Sequence, residues 1–438
     1  MDRSSWWFLL FPGLAMSLGW GLRGQFGHPL GAAIAGALVV LAICLLLDRD
    51  DLSYGLIAAF GAVGVGFGGQ ETYAQTVAFV SHAPWNPPLG YVGLAVKGAM
   101  WGLLGGAAIG IAFHRERFRW RDIAIAAALM IAGTWLGWKL LNEPKRIYFS
   151  LDRPEAWAGF ILGGLLLGGY AGFSGGTRMP WRFAAWGALG AGLGFPFGAW
   201  LMTLGMQSPW NNRWCDWWKL MECTLGLVFG FGLGFCAYLY RQRLQGGAAR
   251  GRFSTTVNLL LGVLVTAAAI GVYYTRGIHP RFPFTFLGAA LLVVAFASEQ
   301  VAWHVGITMV YSATTVNVAV YWLREQKIFD PAMVWVLVAA TSLPIAWWVA
   351  RYGRNDRRTL RTAFLILVWT TTLLSHLKML LNSRVVNASE EAVRAAGGRW
   401  SYNLETWGSA FVIEVIFTLM AITLTWMACA QTKSRKLP

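Results

Sequence analysis

The sequence predicts an all-α, polytopic integral membrane protein of about 14 transmembrane helices, on three observations. Of its 438 residues, 56% are hydrophobic and only 13% are charged, against roughly 25% charged in a soluble protein. Apolar runs recur from end to end, and many reach the ~20 residues a helix needs to cross the hydrocarbon core. Arginine gathers in short loops between these runs, as the positive-inside rule expects of cytoplasmic segments. A transmembrane β-barrel is excluded, because its strands alternate apolar and polar residues whereas these runs are apolar all round. The same loops account for the net charge of +16, so no nucleic-acid partner is implied.

Within the first span, 5–22, residues 6–18 have the look of a signal-peptide core. No small-residue cleavage site follows, and the run continues through Trp20 and Arg23, which marks a retained helix. Spans 30–47, 52–70 and 88–113 lead to a basic loop carrying Arg115, Arg117, Arg119 and Arg121. Spans 122–141, 155–173, 181–205 and 214–240 lead to a second, with Arg241, Arg243, Arg250 and Arg252. Spans 254–274, 283–299, 302–323 and 331–350 precede a third, with Arg351, Arg354, Arg357, Arg358 and Arg361. Basic loops belong on one side, so an even number of helices separates the second from the third. That parity splits 283–323 into two helices around Glu299-Gln300, and Glu299 and His304, which flank that cytoplasmic turn, read as polar turn residues. Spans 360–381 and 405–430 complete the set, and Lys433, Arg435 and Lys436 follow. Both termini then fall in the cytoplasm, and short loops with few cysteines suit a bacterial plasma (inner) membrane. Loop 71–87 carries no Lys or Arg, as an outer loop should, but loop 142–154 goes against the rule with Lys145, Arg146 and Arg153.

Two stretches read as copies of each other. His82-Ala83-Pro84-Trp85-Asn86 is followed eleven residues later by Lys97, and Gln207-Ser208-Pro209-Trp210-Asn211 is followed at the same distance by Glu222. Gly19-Trp20 with Arg23 matches Gly137-Trp138 with Lys139, and Gly66-Phe67-Gly68 matches Gly194-Phe195-Pro196. The matches pair spans one to four with spans five to eight, in repeat units of about 5–121 and 122–245. Four is even, so the repeat is parallel, an arrangement common in transporters. Residues 1–253 hold 43 of the 52 glycines, some in ladders such as Gly98, Gly102, Gly106 and Gly110. Such ladders let helix backbones approach closely in lipid. Residues 1–253 are therefore expected to be a tightly packed core, and 254–438, the last six spans, a scaffold, a gate or the surface of a homo-oligomer.

Intramembrane charges are expensive and mark functional candidates. Lys97 and Glu222 lie roughly 10–13 Å into their helices, where they face each other across a pseudo-twofold axis or, alternatively, fix register as structural pairs, Glu222 with Lys219. At the outer end of the first span, Gly21 to Pro29 breaks the apolar run with Arg23, Gln25 and His28, either as an anion clamp and proton relay or as a tight turn. Gln70 and Glu71 precede His82, Trp85 and Asn86 in one outer loop, a set suited to acid–base work or to sugar recognition, or else to capping a Pro-rich turn. Trp210 and Asn211 occupy the second copy. In the C-terminal part, His376 and Lys378 are placed to pair with Glu414. The five cysteines show no zinc spacing, and neither a metal nor a cofactor is implied.

The segment His82–Asn86 resembles the HAPWN stretch of heparan-α-glucosaminide N-acetyltransferase-type membrane acyltransferases, and that resemblance implies an acetyl-carrying role for His82. It covers five residues of 438. The aspartate that follows in that family is replaced here by Pro87-Pro88-Leu89-Gly90, and Gln207 stands at the histidine position of the second copy. The leading expectation is a secondary transporter of a small polar or anionic solute with its site in the outer half of the repeat core. The alternatives are a membrane-embedded acyl- or glycosyl-type transferase acting at the extracytoplasmic face, and a non-catalytic membrane subunit of a complex.

Overall fold

A computed structural model describes residues 3–82, 85–144, 147–151, 153–208, 215–247, 253–274, 283–319 and 330–430. Among them the structure is helical, with no strand. The first part comprises α1 (Arg3–Phe26), α2 (His28–Leu47), α3 (Tyr54–Gly68), a short α4 (Ala74–Ser81) and α5 (Pro87–Ala112). It continues with α6 (Trp120–Gly137), α7 (Trp157–Ser174), α8 (Met179–Gln207) and α9 (Trp217–Tyr240). The second part comprises α10 (Thr255–Tyr274), α11 (Pro283–Ala297), α12 (Glu299–Trp303), α13 (Met309–Asn317), α14 (Pro331–Tyr352) and α15 (Arg357–Leu380). Three short helices, α16 (Ser383–Val386), α17 (Glu390–Ala395) and α18 (Arg399–Trp407), precede α19 (Ser409–Ala430). Among the described residues nine helices are long and apolar enough to cross a membrane, and three shorter apolar helices accompany them. The chain is a multi-pass helical membrane protein.

Six helices close a ring in the order α1, α2, α3, α5, α8, α9 and back to α1. Glycine makes the seams. Along α5, a Cβ on Gly98, Gly102, Gly106 or Gly110 would collide with the carbonyl of Ala191, Gly187, Phe183 or Met179 of α8. Gly190, Gly194 and Gly198 bring α8 equally close to α9, and Gly226, Gly230 and Gly234 bring α9 onto α1. Gly19 lies against Ala35, Gly36 against Gly61 and Gly64 against Ala108, which closes the circuit through α2 and α3. Lipid tails are as apolar as leucine, so close backbone packing, rather than burial of large side chains, drives helix association here. α8 shows the corollary. Its glycine face is buried, and Leu189, Leu193, Phe197, Trp200 and Leu204 on its other face are exposed, as suits contact with lipid.

Large aromatic side chains fill the ring. Trp20 and Trp101, both fully buried, lie 5.0 Å apart between ring centroids, and Phe195 and Phe229 pack beside them. α7 packs outside the ring on α5 and pairs with α6. The C-terminal helices cover the opposite side, α15 and α19 against α1 and α11 and α12 against α3.

Three local expectations change. The break at Gly21–Pro29 is confined to Gly27, whose φ of 79° ends α1 after Phe26, so Arg23 sits on a regular helical turn. Residues 71–87 are no simple outer loop: α3 stops at Gly68, the chain folds back into the end of the ring, and Glu71, Tyr73 and Thr76 are buried. Irregular backbone at such a place is tolerated because protein surrounds it. The stretch 283–323 does break, at Ser298, whose side chain caps α12, but Glu299 and His304 are not exposed turn residues. Glu299 accepts from the Gly55 amide at 3.0 Å and from the Ser53 hydroxyl, which ties α12 to the start of α3; His304 is 3.1 Å from Asn258.

Candidate functional site

The back-folded segment 69–76 lies between two buried charge clusters and touches both. On one side is Arg23, at the last turn of α1. Its Nη1 donates to the Tyr73 hydroxyl at 2.9 Å and its Nη2 to the Gly69 carbonyl at 3.2 Å. The guanidinium also lies 5.0–5.6 Å from the ring centroids of Tyr73, Trp20 and Trp101, within cation–π range. The Tyr73 hydroxyl in turn donates a hydrogen bond to Glu222 Oε1. The indole N–H of Trp218 donates to the same oxygen at 3.2 Å, and Lys219 Nζ donates to Glu222 Oε2 at 2.8 Å. The i,i+4 and i,i+3 spacing on α9 places Trp218 and Lys219 on the turn that precedes Glu222.

On the other side is Lys97, fully buried on α5. Its ammonium donates to the Thr72 carbonyl at 2.6 Å, the Thr76 hydroxyl at 2.8 Å and Glu155 Oε1 at 2.5 Å, which uses all three donors of a lysine. Glu155 Oε2 accepts from the Phe149 amide at 2.6 Å. Glu71 is the second carboxylate. Its Oε2 accepts from the Ala156 amide at 2.9 Å, while its Oε1 lies 3.5 Å from Lys97 Nζ and makes no hydrogen bond.

Lys97 and Glu222 therefore do not face each other. Each has a nearer partner of opposite charge, and the turn 72–76 joins them at second hand. The local Lys219–Glu222 pair is present. Gln25 joins the site through its backbone: its carbonyl accepts from Lys378 of α15, whose Nζ also lies 3.2 Å from Asn317 Oδ1. Glu414 accepts from Ser375 at 2.5 Å and its Oε2 lies 3.1 Å from His376 Nδ1, so the histidine is its neighbour, while Lys378 turns to Gln25 and Asn317. Beside the Arg23–Glu222 cluster Gly24 is exposed, Gln25 and Trp218 are half-buried, and the Lys219 side chain is 12% exposed.

The remaining candidates fall elsewhere. Gln70 turns away to the Thr285 hydroxyl of α11 at 2.7 Å. His82 is exposed and hydrogen-bonds the Ser81 hydroxyl at 2.7 Å, Trp85 is exposed, and Asn86 caps α5 by accepting from the Leu89 amide. Glu71 and His82 thus share a loop in sequence but not a site. The side chain of His28, and Trp210 and Asn211, lie outside the described residues. Among those described, no group of three His, Cys, Asp or Glu side chains is disposed to hold a metal ion.

Sequence reasoning missed Glu155 and Trp101. Glu155 stands just before α7 and reads as an ordinary helix-start acid. The one signal was the preceding loop 142–154, whose Lys145, Arg146 and Arg153 go against the charge rule; its Phe149 carbonyl accepts a 2.6 Å hydrogen bond from Thr76, itself a partner of Lys97. Trp101 reads as one of many interfacial tryptophans, yet it is buried in the ring and donates to the Gly68 carbonyl. A scan against protein-family models, a search of curated proteins and a search of solved structures each find no match to this chain.

Proposed function

We propose that this chain is a proton-coupled secondary transporter of a small polar or anionic solute, bound in the outer half of the ring beside Arg23 and Lys219. The observation that carries the reading is the excess of carboxylate over cation in the buried cluster at Lys97, beside a second cluster where two cations gather. Glu71 and Glu155 share the one ammonium of Lys97, whereas Arg23 and Lys219 converge on Glu222, with Asp216 capping the same helix start. Uncompensated charge away from water is costly, which argues that the excess carboxylate is met by something that comes and goes. An anionic group entering past Gly24 and Trp218 meets Arg23 and Lys219. A proton on Glu71, whose Oε1 is the under-used oxygen, meets the excess at Lys97. Both events act on the segment 69–76, which supplies their link.

In this reading the chain crosses the membrane about 14 times with both termini in the cytoplasm of a bacterial inner-membrane host. The parallel repeat units 5–121 and 122–245 rock against each other. Their main contacts within the ring, α5 on α8 and α9 on α1, are lined with glycine, which lets the backbones approach closely. The transferase reading draws less support, because the exposed His82 has no carboxylate hydrogen-bonded to it among the described residues.

The test is proton flux in proteoliposomes against a panel of sugars and organic anions, with Glu222→Gln and Glu71→Gln compared with the parent. Solute-dependent flux abolished by Glu71→Gln, with solute binding retained, is the expected result. No solute-dependent flux from folded protein with any solute would overturn the proposal in favour of the transferase or the complex subunit.

A further inference from the structure

A second charged feature lies away from the ring centre, at the ends of α5, α6 and α11. A groove of about 960 Å³ opens there, and three of its lining side chains are Arg115, Arg119 and Arg121, against the single carboxylate of Glu116. Its aromatic walls are Trp120 and Phe296. Arg115 is held in place: its Nη2 donates to the Phe296 carbonyl at 3.3 Å, and its guanidinium lies 5.3 Å from the Phe296 ring centroid. Arg119 and Arg121 are exposed on the first turn of α6 and the residue before it.

The geometry points to a binding site for a phosphate-bearing anion, and its position identifies the bound group as the headgroup of an anionic phospholipid. Guanidinium groups match phosphate oxygens with paired N–H donors, so three around one groove with a net positive lining favour that chemistry over a cationic or neutral ligand. In the topology read from the sequence, the groove sits at the membrane boundary. Trp120 is 62% exposed, as a tryptophan in a headgroup belt is. The helices that form the walls also expose Ile125 on α6 and Val294 on α11, apolar faces along which acyl chains can lie. Basic pockets between membrane helices on the cytoplasmic side bind acidic headgroups by this combination. The loop 115–121 carries the cytoplasmic charge signature, so headgroup and groove meet in the leaflet where anionic lipid is available.

The test uses the full chain purified in detergent. Native mass spectrometry counts bound phosphatidylglycerol and phosphatidylcholine, and thermal unfolding is followed with added inorganic phosphate. The variants are Arg119→Ala/Arg121→Ala and, as a control on another loop, Arg384→Ala. All three arginines are exposed, so loss of fold is not expected. Preferential retention of phosphatidylglycerol, reduced about 10- to 30-fold by the double variant as two basic residues imply, supports the site with a lipid source. Stabilisation by inorganic phosphate that the double variant removes, without lipid preference, supports the phosphate chemistry and moves the source to a soluble solute. Binding of either probe that the double variant leaves unchanged, or that Arg384→Ala reduces equally, overturns it.

Discussion

Lys97→Met is the sharpest perturbation the structure offers. It removes an ammonium whose three donors are all engaged, and leaves Glu155 Oε1, the Thr72 carbonyl and the Thr76 hydroxyl facing a thioether chain. Two buried carboxylates, Glu71 and Glu155, then stand without their shared cation. Removing one partner of a buried ion pair costs about 3–5 kcal/mol, and at about 1.4 kcal/mol per tenfold that is a factor of roughly 10² to 10⁴ in the folded population. Lys97→Met/Glu155→Gln should recover roughly half of the loss, because the amide keeps an acceptor for the Phe149 N–H while one orphaned charge disappears. The assay is equilibrium unfolding by SDS titration in mixed micelles, followed by the fluorescence of the buried tryptophans. A cost for Lys97→Met below about 1 kcal/mol, the range of a solvated surface pair, would refute the reasoning. So would a double variant that costs the full sum of the two singles.

Gly102→Val places a branched side chain against the Gly187 carbonyl and should cost about 1–3 kcal/mol or more in the same titration, whereas Leu193→Val, on the exposed face of α8, should be near neutral. Asn86→Ala removes the cap of α5 and should cost about 1 kcal/mol, read as faster amide exchange at Leu89 with proton flux unchanged. His114, beyond the end of α5, has its pKa lowered from 6.5 chiefly by burial. The folded state thus resists a proton that the unfolded chain accepts near 6.5, so its contribution is present above that pH and is lost as pH falls below it. Between about pH 7.5 and 5.5 the parent should therefore lose more thermal stability than His114→Gln, and equal pH profiles would contradict the assignment.

Much of the architecture was legible in the sequence. A membrane helix must satisfy its own backbone and span a fixed thickness, so long apolar runs and arginine placement announce themselves in one dimension. The glycine ladders were legible for the same reason: a face of small residues in lipid has few uses besides close packing. Sequence alone therefore determined the helical membrane class, the Gly-rich first part with its concentration of buried charge, and the prominence of Arg23, Lys97 and Glu222. Only the tertiary structure decided which charges meet. Lys97 and Glu222 carry opposite signs at matching depth, and nothing in the sequence says that a short α4 folds back between them. That fold-back lets Glu71 and Glu155 reach Lys97 first, while Tyr73 ties Arg23 to Glu222. Hydrogen bonds act over about 3 Å and choose partners by three-dimensional position. Glu155, in contact with Lys97 from 58 residues away, was for that reason invisible in the sequence.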